Sequence, residues 1–167
     1  IAAASEIARA CGAIVAVDST VATPLLTRPL ELGARIVMHS ATKYLNGHSD
    51  VIAGALATAE DDALWQRLRY LRGAGGGVLG PFEASLLLRG MRTLHLRIAA
   101  ACDNAHAIAL RLQGDARLSH VLYPGLPSHP GHTIAVRQMH GRFGAMMSVR
   151  LRHGEQAARD FAARLRV

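Results

Sequence analysis

The chain has 167 residues, of which 50% are hydrophobic and only 4% aromatic, so it can form one globular domain, or part of a larger one, with an aliphatic core. Lys and Arg number 19 against 12 Asp and Glu, which gives a formal net charge of +7. The arginines are scattered, without a basic run or interleaved aromatic residues, and this argues against nucleic-acid binding. No apolar run is long enough to cross a membrane and no secretory signal pattern is present, so no membrane association is expected.

The cysteines, two of the histidines and the chain ends give further expectations. Cys11 and Cys102 are too far apart in sequence for a disulfide framework or a metal knuckle, which favours a reducing, cytoplasmic setting. His129 and His132 lie in a proline-rich loop without an acidic or thiol partner nearby, so no metal site is predicted. Because the chain begins and ends inside helical patterns, we expect a piece of a longer protein.

The first part of the chain alternates between helix and strand patterns. In chain order, these patterns predict a helix over 1–10, a strand over 13–17, a short helix over 25–32, a strand over 35–39, an apolar run over 51–58, and helices over 60–72 and 81–90. Such alternation is typical of an open, parallel α/β sheet. The segment Gly75–Gly80 matches G-x-G-x-x-G in form, but it follows a helix rather than a strand, so we interpret it as a linker.

The pattern changes after a long predicted helix over 94–112. Strands are predicted over 118–123 and 145–151, and helices over 133–139 and 155–166, which indicates a smaller α+β part. We therefore expect one domain piece over residues 1–93, a connecting helix over 94–113 and the beginning of a second domain over 114–167.

One basic residue differs in kind from the others. Lys43 is the single lysine of the chain, so the remaining basic residues are all arginines. Arginine stays protonated and cannot form an imine, whereas a desolvated lysine can lose its proton and attack an aldehyde. A lone lysine in an arginine-rich chain is also explained by chance, and its neighbours have to decide between the two interpretations.

Polar side chains follow the first two predicted strands. Asp18 comes directly after the first strand, and Ser40, Thr42 and Lys43 come after the second. Because the carboxyl ends of parallel strands meet at one sheet edge, these residues can share a site. Pyridoxal phosphate (PLP) needs such a set: a lysine for a Schiff base, an acid for the pyridine nitrogen and donors for the phosphate. Taken singly, Asp18 is also explained as a turn residue and the hydroxyls as loop caps; together the four residues favour a PLP site.

The segment around Lys43 resembles the PLP-lysine signature of the Cys/Met-metabolism enzymes, which include cystathionine gamma-synthase, cystathionine gamma-lyase, methionine gamma-lyase and their sulfhydrylase relatives. The signature reads Ser40-Ala41-Thr42-Lys43-Tyr44-Leu45-Asn46-Gly47-His48-Ser49-Asp50. Other segments are similar to the family as well: Asp18-Ser19-Thr20, Pro29-Leu30-Glu31-Leu32-Gly33-Ala34, Leu88-Arg89-Gly90-Met91-Arg92-Thr93-Leu94 and Tyr123-Pro124-Gly125-Leu126-Pro127-Ser128-His129-Pro130. Two residues depart from the pattern: Ser19 stands where Asn is common, and Arg35 where an acidic or amide residue is usual.

The resemblance implies an α/β fold of PLP fold-type I, like that of aspartate aminotransferase. The chain would then hold the second half of the large domain and the start of the small one. It implies Lys43 as the lysine that carries PLP and moves protons, Asp18 as the partner of the pyridine nitrogen, and Ser40 and Thr42 as phosphate ligands. It also implies a homotetramer built as a dimer of dimers. An aromatic ring that stacks on the cofactor, a glycine loop for the phosphate and an arginine for the substrate carboxylate would lie outside this chain.

The function predicted from these residues is gamma-elimination or gamma-replacement on a small sulfur amino acid of the cystathionine or homoserine type. The alternatives on the same fold are a methionine gamma-lyase, an O-acylhomoserine sulfhydrylase and a beta-eliminating carbon–sulfur lyase. An aminotransferase is disfavoured by the long signature around Lys43. An alternative of another class is a non-catalytic piece that binds no cofactor because part of the site is missing.

Overall fold

The computed structural model describes residues 1–166 and divides the chain into two compact units, Ile1–Arg97 and the residues from Ile98 onward. This boundary lies within the helix that was expected to connect two domains. The assignment of residues 1–93, 94–113 and 114–167 to particular domains of a longer protein stays a prediction.

The first unit alternates helices and strands. Its elements are α1 (Ala2–Ala10), β1 (Ala16–Asp18), α2 (Thr23–Leu26), a 3₁₀ helix (Pro29–Leu32), β2 (Ile36–Ser40), β3 (Gly54–Ala57), α3 (Ala63–Ala74) and α4 (Pro81–Met91). Pro81 occupies the first turn of α4, where its missing N–H is not needed. The α/β character expected from the sequence is therefore present.

One predicted helix proved to be two short ones. The helix expected over 25–32 is interrupted at Thr27, whose backbone is extended with φ −145°, and the chain resumes as the 3₁₀ helix at Pro29. Proline lacks the N–H that a continuing helix needs and disfavours helical geometry in the residue before it. Gly33 ends the 3₁₀ helix with φ 88°, the left-handed conformation that glycine adopts without a Cβ clash.

The sheet of this unit has the order β1-β2-β3, and only its first pair is parallel. β3 runs antiparallel to β2, with Val37 opposite Ala57 and Ser40 opposite Gly54. The expectation of a parallel-type sheet is thus wrong for the third strand. The physical reason is the connection: residues 41–53 contain turns but no crossover helix, and a parallel pairing requires a long crossover.

Arg35, one of the two departures from the family pattern, fastens β2 to the elements that follow. Its guanidinium donates to the Thr58 hydroxyl at 2.5 Å, and the same hydroxyl donates to the Arg35 carbonyl at 3.0 Å. A second guanidinium nitrogen lies 2.5 Å from a carboxylate oxygen of Asp62. Asp62 also caps α3 by accepting the Trp65 amide at 3.0 Å, which explains why α3 begins at Ala63 rather than near Glu60.

The second unit consists of most of α5 (Leu94–Leu112), β4 (Leu118–Leu122), α6 (His132–Gln138), β5 (Ser148–Leu151) and α7 (Gly154–Ala163). β4 and β5 pair antiparallel. The bounds of α5 confirm the helix expected over 94–112.

The core of the second unit forms around Ala105, Ala109, Tyr123 and Leu126. Tyr123 is fully buried, and its hydroxyl donates to the Gly144 carbonyl at 3.0 Å. Burial raises the pKa of this phenol to about 12, so it stays neutral in its pocket. None of the helices within residues 1–166 has the length and apolar character that a membrane crossing would require.

Candidate functional site

The parallel pairing of β1 and β2 brings the two predicted halves of the site to one edge of the sheet. Asp18 pairs with Met38 in register, and the amide of Ser19 donates to the Met38 carbonyl at 2.9 Å, which extends the ladder by one residue. Asp18 and Ser40 are the last residues of β1 and β2. The chain therefore leaves both strands at the same edge, as the sequence predicted.

A side chain that the sequence reasoning did not single out joins these two strand ends. The Thr20 hydroxyl donates to Oδ1 of Asp18 at 2.5 Å and accepts the backbone N–H of Ser40 at 2.7 Å. The backbone N–H of Thr20 donates to the same Asp18 oxygen at 2.9 Å. Thr20 was visible in the sequence only as part of the Asp18-Ser19-Thr20 segment, and nothing in that segment indicates a partner in the next strand.

Only one of the two carboxylate oxygens of Asp18 accepts hydrogen bonds within the described residues. Both of its hydrogen bonds go to Oδ1, while Oδ2 accepts none from residues 1–166. Hydrogen bonds from the hydroxyl and then the amide of Thr20 hold the pKa of Asp18 below its usual value, although burial opposes this shift. The carboxyl is therefore ionised near neutral pH, and its Oδ2 can accept a hydrogen bond from a ligand.

His39 is the second residue that the sequence reasoning missed. It lies on β2 directly before Ser40 and is only 8% exposed, and its Nδ1 finds no hydrogen-bond partner among the described residues. Burial lowers the pKa of this imidazole, while the negative charge of Asp18 and a hydrogen bond with the backbone of Ser19 partly oppose the shift. A neutral histidine is therefore placed beside the anionic Asp18.

Lys43 lies in the turn that follows β2. Its amide donates to the Ser40 carbonyl at 3.1 Å, and its carbonyl accepts the Gly47 amide at 2.8 Å. The side chain is exposed, and within the described part of the chain its ammonium makes no hydrogen bond or ion pair. The hydroxyl of Ser40 is equally free of partners among residues 1–166. Both groups are available to a ligand.

Thr42 differs from Ser40 because its hydroxyl already has contacts. It accepts the Ala53 amide at 2.9 Å and points its hydrogen at the Ala53 carbonyl at 3.3 Å, a long distance for an O–H donor. The backbone N–H of Thr42 satisfies the same carbonyl at 3.1 Å. Rotation of the hydroxyl hydrogen toward a ligand therefore leaves neither Ala53 group without a partner.

The last residue of β2 and the turn segment after it, residues 40–50, are called the lysine loop. Its second half, which follows Lys43, is anchored by Arg97, a residue that the sequence reasoning missed. Its guanidinium donates to the Tyr44 carbonyl at 2.9 Å, to the Leu45 carbonyl at 3.4 Å and to the Gly90 carbonyl at 2.8 Å. It also donates to the Thr93 hydroxyl at 3.1 Å. One planar side chain thus ties the loop to the start of α5 and the end of α4.

Two close approaches make this anchor specific. Asn46 is 0% exposed, donates to Asp50 at 2.7 Å and packs its carbonyl against Gly90, where any Cβ would overlap the carbonyl oxygen. Gly47 has φ 69° and faces the Arg97 guanidinium so closely that a Cβ would overlap it. The backbone contact leaves no room for a Cβ at Gly90, while at Gly47 the left-handed backbone and the contact with Arg97 favour glycine.

The groups at this edge fit the chemistry of PLP. An unengaged primary amine, a carboxylate oxygen without a donor and an unengaged hydroxyl follow two adjacent strand ends, and a second hydroxyl needs only to rotate its hydrogen. An aldehyde reacts with the amine, a pyridine N–H donates to the carboxylate, and phosphate oxygens accept from the hydroxyls.

Comparison with known proteins decides the family. The model of the Cys/Met metabolism PLP-dependent enzymes matches residues 1–167. The chain belongs to this family. Its expected cofactor is accordingly the cofactor of the family, PLP.

The Cys/Met metabolism relatives are similar over nearly the whole chain. The chain is 51% identical over 167 residues to cystathionine gamma-synthase of Mycobacterium tuberculosis (strain ATCC 25618 / H37Rv), covering 100% of this chain and 42% of the relative. It is 47% identical over 148 residues to cystathionine beta-lyase of Coxiella burnetii, covering 89% of this chain and 38% of the relative. A solved structure of cystathionine gamma synthase from Xanthomonas oryzae pv. oryzae in complex with cystathionine matches with a TM-score of 0.93 at 46% identity, over 99% of this chain and 42% of that one. The chain thus spans less than half the length of these relatives.

Proposed function

We propose that the chain is part of a longer PLP-dependent trans-sulfuration enzyme that performs gamma-elimination or gamma-replacement on amino acids of the cystathionine or homoserine type. Membership of the family supports the cofactor, and the relatives named for cystathionine support the substrate class. The observation that carries the proposal is the exposed Lys43 amine, which has no partner within residues 1–166 and follows the strand paired with the one that ends in Asp18.

Each residue at the edge has one task in this proposal. Lys43 would hold PLP covalently through its amine, Oδ2 of Asp18 would accept the pyridine N–H, and the hydroxyls of Ser40 and Thr42 would donate to the phosphate. When bound, the cofactor supplies an electron sink for the negative charge that develops at the substrate Cα. Once the Lys43 amine is free of the cofactor, it would remove the proton from the substrate Cα and move protons between Cα and Cβ.

The finer structural statements belong to the same proposal. Residues 1–93 would form the second half of a fold-type I large domain, and residues 114–167 the start of the small domain. The coverage of 42% of the gamma-synthase relatives supports a longer parent protein. Assembly as a homotetramer remains a prediction from the family resemblance, and a cytoplasmic location remains a prediction from the two isolated cysteines.

Borohydride trapping tests the cofactor site. The full polypeptide that contains this chain is incubated with PLP, reduced with borohydride and mapped by peptide mass spectrometry. We expect a reduced pyridoxyl group on Lys43. The control variant Lys43→Arg keeps the positive charge but cannot react with the aldehyde, and it should carry no adduct at this position. A folded protein whose Lys43 stays unmodified contradicts the proposal.

The match to a cystathionine beta-lyase favours a second candidate function, the beta-elimination of cystathionine. With one water consumed, beta-elimination of cystathionine releases homocysteine, pyruvate and ammonia, whereas gamma-elimination releases cysteine, 2-oxobutyrate and ammonia. Incubation of the PLP-loaded enzyme, without borohydride, with cystathionine, followed by identification of the oxo acid, separates the two. Formation of cystathionine from cysteine and an O-acylated homoserine assigns gamma-replacement instead.

A further inference from the structure

Thr20 occupies the place where the ladder between β1 and β2 ends. The amide of Ser19 still donates to a backbone carbonyl of β2, but the amide of Ser40 donates to the Thr20 hydroxyl instead of a backbone acceptor in β1. A side chain thereby continues the pairing of the two strands beyond Asp18. The link spans 20 positions in sequence.

The direction of this hydrogen-bond chain is fixed by its two ends. A backbone N–H can only donate, and an ionised carboxylate can only accept. The Thr20 hydroxyl lies between such a donor, the Ser40 amide at 2.7 Å, and such an acceptor, Oδ1 of Asp18 at 2.5 Å. Its hydrogen therefore points to Asp18, in a bond strengthened by the negative charge of the carboxylate.

This arrangement determines which oxygen of Asp18 remains for a ligand. Both donors of Thr20, the hydroxyl and the amide, use Oδ1, and Oδ2 receives no hydrogen bond from residues 1–166. The same hydroxyl holds Ser40, which lies three residues before Lys43 and offers a free hydroxyl of its own. One threonine thus fixes the acid and the start of the lysine loop relative to each other.

We propose that Thr20 is a positioning residue for the cofactor: its hydroxyl presents Oδ2 of Asp18 to the pyridine N–H and couples that carboxylate to the segment carrying Ser40 and Lys43. The inference rests on the proposed function, because it concerns the same cofactor site. It adds a residue that touches neither the aldehyde nor the phosphate and acts through Asp18.

The test measures the dissociation constant of PLP for the full polypeptide, prepared free of cofactor and titrated while the visible absorption is followed. Thr20→Val keeps the shape of the side chain and removes the hydroxyl, and Thr20→Ser keeps the hydroxyl. Because Thr20→Val removes the hydroxyl that holds Oδ1 of Asp18 and so no longer fixes the orientation of Oδ2, we expect it to raise the dissociation constant about 10-fold. Thr20→Ser should stay within about 3-fold of the wild type, since it retains the bond.

A thermodynamic cycle with Asp18→Ala separates positioning from a purely structural role. If Thr20 acts through Asp18, Thr20→Val should weaken PLP binding much less in the Asp18→Ala background than in the wild type. An equal effect in both backgrounds, or failure of Thr20→Ser to restore binding, overturns the inference. Wild-type affinity in folded Thr20→Val also overturns it.

The remaining outcomes are equally decisive. If Thr20→Val does not fold, Thr20→Ala replaces it in the cycle, and failure of both to fold assigns Thr20 a structural role and overturns the inference. A wild-type protein that binds PLP at Lys43 while the cycle shows no coupling removes only the role of Thr20. A wild-type protein that takes up no PLP overturns the proposed function and this inference together.

Discussion

The two halves of the lysine loop differ in how many hydrogen bonds hold them to the rest of the protein. Before and at Lys43, the hydroxyl of Ser40 and the ammonium make no hydrogen bond within the described residues. After Lys43, three consecutive residues are fixed by hydrogen bonds. The carbonyls of Tyr44 and Leu45 accept from Arg97, and the buried side-chain amide of Asn46 donates to Asp50. This difference shows that the Ser40 hydroxyl and the Lys43 ammonium can remain free of protein partners because the segment that follows them, residues 44–46, is held rigidly. Such support from outside the contact residues is what a preorganised site requires.

The largest effect should come from breaking the anchored half at Gly90. Gly90→Ala places a methyl group into the carbonyl oxygen of Asn46, and neither backbone can yield without moving the loop or α4. We expect a loss of at least about 3 kcal/mol in the free energy of unfolding, together with reduced labelling of Lys43 by PLP and borohydride. Denaturant unfolding of the full polypeptide measures the first quantity, and mass mapping the second.

Gly73→Ala is the matched control for this substitution. Gly73 lies in α3 with open space around the position of a Cβ, so alanine should be neutral or stabilising by up to about 1 kcal/mol. Equal unfolding free energies for Gly90→Ala and Gly73→Ala would show that the contact with Asn46 does not constrain the loop.

A smaller loss is expected when the anchoring side chain itself is removed. Arg97→Met keeps much of the apolar stem but leaves the carbonyls of Tyr44, Leu45 and Gly90 without this donor. Because water can reach some of these groups, we expect a loss of about 2 kcal/mol in the free energy of unfolding and weaker binding of PLP. Arg92→Met, a change at an exposed arginine nearby, should alter stability by less than about 0.5 kcal/mol. A stability of Arg97→Met equal to that of Arg92→Met would contradict the anchoring role.

The smallest effect concerns the pH dependence of stability and comes from His39, which lies on β2 directly before Ser40. Burial lowers the pKa of His39 below its ordinary value of 6.5, so the unfolded chain binds a proton there before the folded chain does. Stability should therefore fall as pH decreases from about 6.5 toward the lower pKa of the folded state, with a slope of at most about 1.4 kcal/mol per pH unit from this residue. At pH values well above 6.5 His39 is neutral in both states and the residue adds no slope.

His39→Gln isolates this contribution. The difference between the unfolding free energies of the wild type and the variant, measured at several pH values, removes the other titrating groups. We expect the variant to lose part of the decline below pH 6.5. Parallel pH profiles for the two proteins would show that His39 does not titrate differently in the folded and unfolded states.

Much of the architecture was predictable from local patterns. The helix Leu94–Leu112 matches its predicted bounds, because apolar residues recur at helical spacing over its whole length. The strands β1 and β2 were expected from short apolar runs, and their order placed Asp18 and Ser40 at one edge. The direction of β3 was not predictable, since an apolar run has the same pattern in a parallel and an antiparallel strand.

The supporting residues were not predictable for a different reason. Thr20 meets Ser40 across 20 positions, and Arg97 meets Tyr44 across 53. No periodicity or short motif links residues so far apart, and threonine and arginine have many other uses in a chain with this composition. His39 was hidden because an imidazole on a strand looks the same in sequence whether it is buried or exposed.

The sequence by itself determined which chemistry the chain can offer. A single lysine in a long specific signature, an acid at the end of the preceding strand and two hydroxyls beside the lysine follow from residue identity and spacing alone. The tertiary structure decided how these groups are held: which Asp18 oxygen is left free, that Thr20 bridges two strand ends and that Arg97 fixes the loop behind Lys43. The physical reason is that hydrogen-bond direction and close packing depend on positions in space, and folding brings together residues that the sequence keeps far apart.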